Sequence, residues 1–160
     1  MQGTGATIFN PYMTTSRGMI VTVLYRLEGE PAVSGANPFD DVTSGSYYED
    51  AITWAATNGI VAGYGNSKFG PDDNITREQM AAIMFRYSKF KGYDVSVGED
   101  TNILSYNDAE SVGTWAMSAM QWACGSGLIN GSEDNLMPQG EATRAQVAAI
   151  LHRFCENIVK

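Results

Sequence analysis

Positive charge and histidine are both in short supply in this chain. Its 160 residues carry ten Lys and Arg against eighteen Asp and Glu, a single histidine and a formal net charge of −8. Gripping a phosphate backbone or an anionic lipid surface takes a broad basic face, so no nucleic-acid partner is expected. A few well-placed arginines can still receive a local anion inside such an acidic protein. No apolar run approaches the ~20 residues of a membrane-spanning helix, so no membrane insertion is expected either. The opening Met1-Gln2-Gly3-Thr4-Gly5 lacks the basic and apolar segments of an export signal. Two cysteines, Cys124 and Cys155, are too few for a disulfide framework. Both lie in apolar helical stretches and read as two buried free thiols, while a single bridge between packed helices stays open, since spacing alone does not decide it.

Catalytic signatures are missing too. The sequence has no phosphate loop, nucleophile elbow or paired zinc-ligand motif. His152 stands alone beside Arg153 in the last helical stretch and reads as a helix-surface or groove residue. Asp72-Asp73-Asn74 and Glu133-Asp134-Asn135 lack the alternating oxygens, central glycine and distal glutamate of a calcium loop. They read as solvated turns ahead of capped helices. No catalytic residue, metal or cofactor is expected in this chain, and a hydrolase in its own right is disfavoured.

What is present is a folding composition, 44% hydrophobic and 18% charged, arranged as a repeat. Three segments align without gaps: Phe9-Asn10-Pro11 to Arg26, Phe69-Gly70-Pro71 to Arg86, and Leu136-Met137-Pro138 to Arg153. In each, an apolar residue stands eight positions and a proline six positions before an arginine (Arg17, Arg77, Arg144), and a second arginine follows nine positions later. A second unit alternates with the first. Phe39-Asp40-Asp41-Val42 leads through Tyr47 and Trp54 to Gly59-Ile60-Val61-Ala62-Gly63, and Tyr106-Asn107-Asp108-Ala109 leads through Trp115 and Trp122 to Gly127-Leu128-Ile129-Asn130-Gly131. No such unit precedes Phe9. The chain therefore reads as the back half of a first repeat (1–36), a second repeat (37–98) and a third (99–160), cut from a longer protein.

Helix signals punctuate each unit. Ser46-x-x-Glu49, Thr76-x-x-Gln79 and Thr143-x-x-Gln146 have the form of capping boxes, whereas the first copy offers Ser16 with Met19 where the Gln would be and Gly18 inside the first turn. Met80, Ile83, Met84 and Tyr87 recur at helical spacing, and Val147, Ile150, Leu151 and Phe154 repeat them at the same offsets. Gly59 and Gly127 stand where a left-handed C-cap is wanted. Trp54 and Trp122 read as core, whereas Tyr47, Tyr64 and Trp115 can offer flat faces to a ligand. Helices of about three turns are marginal alone, so their apolar stripes must pack together. A mostly α architecture follows, with β structure limited to short pieces such as Lys68-Phe69. Three equivalent stripes favour a shared central bundle with pseudo-threefold symmetry.

These residues resemble the S-layer homology family, whose multi-repeat modules anchor bacterial surface proteins. Its pattern is met by Phe39-Asp40-Asp41-Val42, Tyr47, Gly59-Ile60-Val61-Ala62-Gly63-Tyr64, Phe69-Gly70-Pro71 and Thr76-Arg77-Glu78-Gln79. The third unit keeps Asp108, Trp115, Gly127, Gly131, Pro138 and Thr143-Arg144-Ala145-Gln146. The resemblance implies a three-pronged pseudo-trimer around a central helix bundle, on the outside of a Gram-positive cell. It also implies non-covalent binding of a secondary cell-wall polysaccharide, often capped by a pyruvylated sugar, in grooves between repeats. Arg77 and Arg144 become the leading ligand contacts by position, with Arg17 in the degenerate copy. Asp41, Asp108 and Gly63 carry over with less weight. The missing front half of the first repeat implies an impaired groove at Arg17.

An arginine opening a capped helix joins a guanidinium fork to the helix's positive end, which suits a sugar carboxylate. The structural alternative is that the same arginines pair with Asp41, Asp108 or nearby acids and tie repeats together. A different class of function, a protein-interaction or self-assembly module of a surface layer, competes with the carbohydrate anchor.

Overall fold

The computed structural model describes residues 8–159. The reading of the Met1–Gly5 stretch falls outside them. Five α-helices and three short 3-10 turns carry the fold: α1 (Arg17–Leu27), α2 (Glu49–Thr57), α3 (Arg77–Phe90), α4 (Met117–Gly125) and α5 (Arg144–Asn157). The 3-10 turns span Ser96–Gly98, Ala109–Ser111 and Thr114–Ala116. Among the described residues β pairing consists of isolated bridges, and Lys68 takes part in one with Gly65 rather than in a strand. The chain is mostly helical and its repeats stand in tandem.

Helix starts follow the sequence at three points and depart from it at one. Thr76 and Thr143 accept from the backbone N–H of Gln79 and Gln146, whose side chains accept in return from the cap N–H groups. Ser16 caps α1 by accepting from Met19 N–H at 3.2 Å. The Ser46–Glu49 box does not form: Tyr48 occupies the cap position of α2 without a side-chain bond. Glu49 instead accepts from Gly45 N–H at 2.6 Å. A turn at Thr43–Ser46 separates the serine from the helix, so its hydroxyl does not reach the first-turn amides.

Helix ends are uniform. Gly59 (φ 68°) and Gly127 (φ 71°) take the left-handed conformation expected of them. Gly59 N–H donates to Ala56 O and Ile60 N–H to Ala55 O, the paired bonds of a Schellman cap. The same pairs recur after α1, α3 and α4, so the strong stop signal belongs to all four of these helices.

Packing joins neighbouring repeats. α2 lies on α1, and α4 lies on α3. Trp54 (ring centroid 5.6 Å from that of Tyr25) and Trp122 (5.6 Å from Phe85) fill these two seams, and both indoles are buried. Met80, Ile83, Met84, Tyr87, Val147, Ile150 and Phe154 are buried as their spacing predicted, whereas Leu151 is only half-buried. The two thiols are free, with Cys124 half-buried and Cys155 exposed. The expectation of two buried thiols is thus corrected: Cys155 sits on a face of α5 that none of the described helices covers. His152 lies on that same face, exposed and 3.3 Å from Glu156.

Candidate functional site

The segments just before α1, α3 and α5 meet edge to edge. Thr15 N–H donates to Ala142 O, Ala142 N–H to Ile75 O, and Ile75 N–H to Thr15 O. Each capped helix therefore starts from a closed cycle of three backbone hydrogen bonds, and its opening arginine emerges beside the next repeat.

Each arginine is spent on the turn it meets. Arg17 donates through Nε to Phe69 O (2.9 Å) and through Nη2 to Ala62 O (3.3 Å). Arg77 repeats this with Leu136 O (2.8 Å) and Asn130 O (3.0 Å), and Arg144 Nε donates to Phe9 O (2.9 Å). All three are buried, at 5%, 8% and 5% exposure. Backbone amides reinforce the contact: Arg17 and Gly18 N–H donate to Asp73 O and Pro71 O, and Arg77 and Glu78 N–H to Gly140 O and Pro138 O. Arg144 and Ala145 do the same with Met13 O and Pro11 O. The first repeat latches onto the second, the second onto the third, and the third onto the first. Burial pushes the Arg17 and Arg77 guanidinium pKa values down, but both stay charged at any physiological pH.

Asp41 and Asp108 build the receiving turns. Asp41 accepts from Phe69 and Gly70 N–H, each at 2.8 Å, and Asp108 from Leu136 and Met137 N–H, each at 2.7 Å. Burial would raise the Asp41 pKa; the two N–H donors more than offset it and hold the carboxyl below its ordinary range. The middle residue of the turn (Asn10, Gly70, Met137) is left-handed in every copy; Asp41 and Asp108 hold the second and third of these turns, and the turn's carbonyl meets the arginine. Gly63 is required by crowding: a Cβ there would come 2.3 Å from Lys68 O and 2.7 Å from the Phe39 ring.

One cleft of about 350 Å³ gathers residues from all three repeats. Arg17 supplies its floor, Ala62, Gly63 and Tyr64 one side, Gln79, Ala82, Ile83 and Arg86 of α3 another, and Trp115 the rim. Tyr64 and Trp115 remain 52% and 55% exposed. The Arg17 guanidinium is sandwiched, its carbon 4.6 Å from the ring centroids of both Tyr64 and Phe69. Trp115 is aimed by an acid on α3: Glu78 accepts from Gly113 N–H at 2.8 Å and fixes the turn Thr114–Ala116. Like charge accumulates here: burial first, and the neighbouring Arg86 guanidinium second to it among the lowering causes, pull the Arg17 pKa down. Sequence reasoning named Arg17, Gly63, Tyr64 and Trp115 but missed Glu78, Gln79 and Arg86 as members of one site. The recurring second arginine was the available signal. Around Arg17 the cleft is lined by residues of the second repeat and by Trp115 of the third. Arg77, Arg144, Asp41 and Asp108 are not among its lining residues.

The comparisons agree with this architecture. The S-layer homology domain pattern matches residues 38–81 and 105–148, two tandem positions. An endoglucanase of Bacillus sp. (strain KSM-635) is 36% identical over 93% of this chain and 16% of its own length. The surface-layer 125 kDa protein of Lysinibacillus sphaericus is 32% identical over 99% of the chain and 13% of its own length. A cellulosome-anchoring protein of Acetivibrio thermocellus is 29% identical over 63% of the chain. The chain spans less than a fifth of the length of the first two. Two tandem matches covering more than half of the residues, on helices joined by the arginine latch, place this chain in the S-layer homology domain family.

Proposed function

We propose that the chain anchors its parent protein non-covalently on the bacterial cell wall, outside the cell, by binding an anionic secondary cell-wall polysaccharide. The observation that carries the reading is the cleft lined by Arg17, Tyr64, Arg86 and Trp115. Two guanidiniums attract a carboxylate, and two half-exposed rings offer apolar faces to a sugar. A pyruvate ketal on the terminal sugar supplies an anion of suitable size. The printed names of relatives, a surface-layer protein and a cellulosome-anchoring protein, point to the same role. The repeats bounded at 37–98 and 99–160, with the half-unit 1–36, take a pseudo-threefold, three-pronged arrangement in this proposal. The cyclic latch of Arg17, Arg77 and Arg144 supports it. The anchoring domain does no chemistry itself; four of the relatives bear enzyme names, so any catalysis belongs to other parts of the parent protein.

Sedimentation with purified sacculi, before and after chemical removal of the secondary polymer, tests this. Binding is expected to disappear on stripping, and binding that survives it refutes the polysaccharide reading. The second reading, a self-assembly or protein-interaction module, has the uncovered face of α5 in its favour. It predicts concentration-dependent association of the chain with itself or with surface-layer protein in the absence of wall material.

A further inference from the structure

The latch between the second and third repeats closes on a reactive pair of residues. Asn58-Gly59 and Asn130-Gly131 are the two Asn-Gly pairs of the chain. Asparagine is a thermolabile residue, and a following glycine has no Cβ to obstruct attack of its backbone nitrogen on the asparagine side chain. Whether that attack occurs depends on what else the two groups are bonded to.

At the end of α2 both are tied down. Asn58 Nδ2 donates to Trp54 O at 2.8 Å, and Gly59 N–H donates to Ala56 O at 3.1 Å within the helix cap. At the second pair neither is. Asn130 is exposed, and among the described residues its side chain has no hydrogen-bond partner and the Gly131 N–H has no acceptor. Arg77 adds a chemical push, because its Nη2 donates to Asn130 O at 3.0 Å. That oxygen and the Gly131 nitrogen belong to one peptide group. The guanidinium stabilises the negative charge the group carries once its N–H gives up the proton. The matching contact of Arg17 lands on Ala62, which has no side-chain amide to react.

From this contrast we infer that Asn130 is a modification site, at which the chain deamidates through a succinimide and releases ammonia. The Gly131 nitrogen loses its proton to solvent and bonds to Asn130 Cγ. The Cγ–Nδ2 bond breaks, and Nδ2 takes up a proton and leaves as ammonia. Water then opens the ring. Opening at Cγ gives aspartate. Opening at the main-chain carbonyl carbon leaves the chain running through Cγ, one methylene longer, and turns the acceptor of Arg77 into a free carboxylate. The turn has no room for the longer chain: a Cβ on Gly131 would come 2.3 Å from the Tyr106 ring and 2.9 Å from Asn135 O. The isoaspartyl form therefore loosens the seam between the second and third repeats.

The test ages the chain in warm, mildly alkaline buffer and maps its peptides by mass spectrometry and isoaspartyl methyltransferase labelling. Residue 130 is expected to convert at least about tenfold faster than residue 58, the factor set by the two hydrogen bonds that Asn58-Gly59 must give up. In concentrated urea, where those bonds are gone, the two sites should convert within about threefold of each other. Aged wild type should melt at a lower temperature than fresh protein. Asn130→Gln, whose longer side chain must close a larger ring, should neither convert nor lose stability on ageing. Fresh Asn130→Asp carries the charge without the extra methylene and should melt close to fresh wild type. The inference is overturned if Asn130 stays intact or if Asn58 converts as fast in the folded chain. Loosening of the seam is refuted if isoaspartyl chain melts like fresh protein, or if fresh Asn130→Asp already melts as low as aged wild type.

Discussion

Val21 and Leu24 on α1, and Ala81 and Met84 on α3, are sealed beneath α2 and α4. The matching Ala148 and Leu151 on α5 are half-buried, and Ala145, His152 and Cys155 beside them are exposed. The three helices open from one motif, each with a hydroxyl N-cap and a latch arginine, yet among the described helices only α1 and α3 have another helix laid over this face. Motif identity therefore sets how a helix begins and where its arginine goes. Its burial is set by what lies across the seam. The residue types agree: the seam positions held by Tyr25 and Phe85, which stack near Trp54 and Trp122, are taken on α5 by His152.

The largest expected effect comes from truncating the covered position. Met84→Ala should cost about 2–5 kcal/mol in urea unfolding, whereas the matching Leu151→Ala should cost less than half as much, since part of its surface is already wet. Equal losses would mean that α5 is sealed in solution, and the contrast between the helices would collapse.

Acid sharpens the comparison between turn and seam. The Asp41 carboxyl is depressed by its N–H partners, so its stabilisation is fully present above its unfolded value near pH ~4 and is lost as pH falls through the lower folded value. Asp41→Asn should destabilise at neutral pH, and the gap from wild type should close as the medium is acidified. A gap that stays constant with pH would show that the turn does not depend on the charge.

A smaller difference separates the helix starts. Thr143→Ala should cost about 1 kcal/mol by loss of the cap, while Ser46→Ala should change stability by only a few tenths, because Ser46 does not cap α2. The last contrast is in reactivity and not stability. Exposed Cys155 should react with a maleimide well before Cys124, whose thiol burial pushes up in pKa against the opposing pull of Arg77. Equal rates at the two thiols would contradict the open face of α5.

Much of the helical framework was legible because its causes are local. Thr76 with Gln79 and Thr143 with Gln146 bond within one turn, and Gly59 and Gly127 need only their own φ. Ser46 with Glu49 shows the limit, since the same letters form no box when a preceding turn carries the serine away from the helix. The site was legible only in pieces. Arg17, Gly63, Tyr64 and Trp115 were visible as residue types, but Arg86 and Glu78 matter through neighbours 35 or more positions away, which no local pattern reports. Asp41 and Asp108 were noticed for their recurrence, and the structure finds them holding the turns on which the latches close.

By itself, then, the sequence determined the repeat, the caps, the helical faces and the recurring arginines, all consequences of short-range geometry and burial of apolar stripes. The tertiary structure alone decided how those arginines are used. Whether a guanidinium meets a carbonyl, an acid or an open cleft depends on which repeat lies beside it. That choice spends Arg17, Arg77 and Arg144 on the fold and leaves Arg86 facing the cavity.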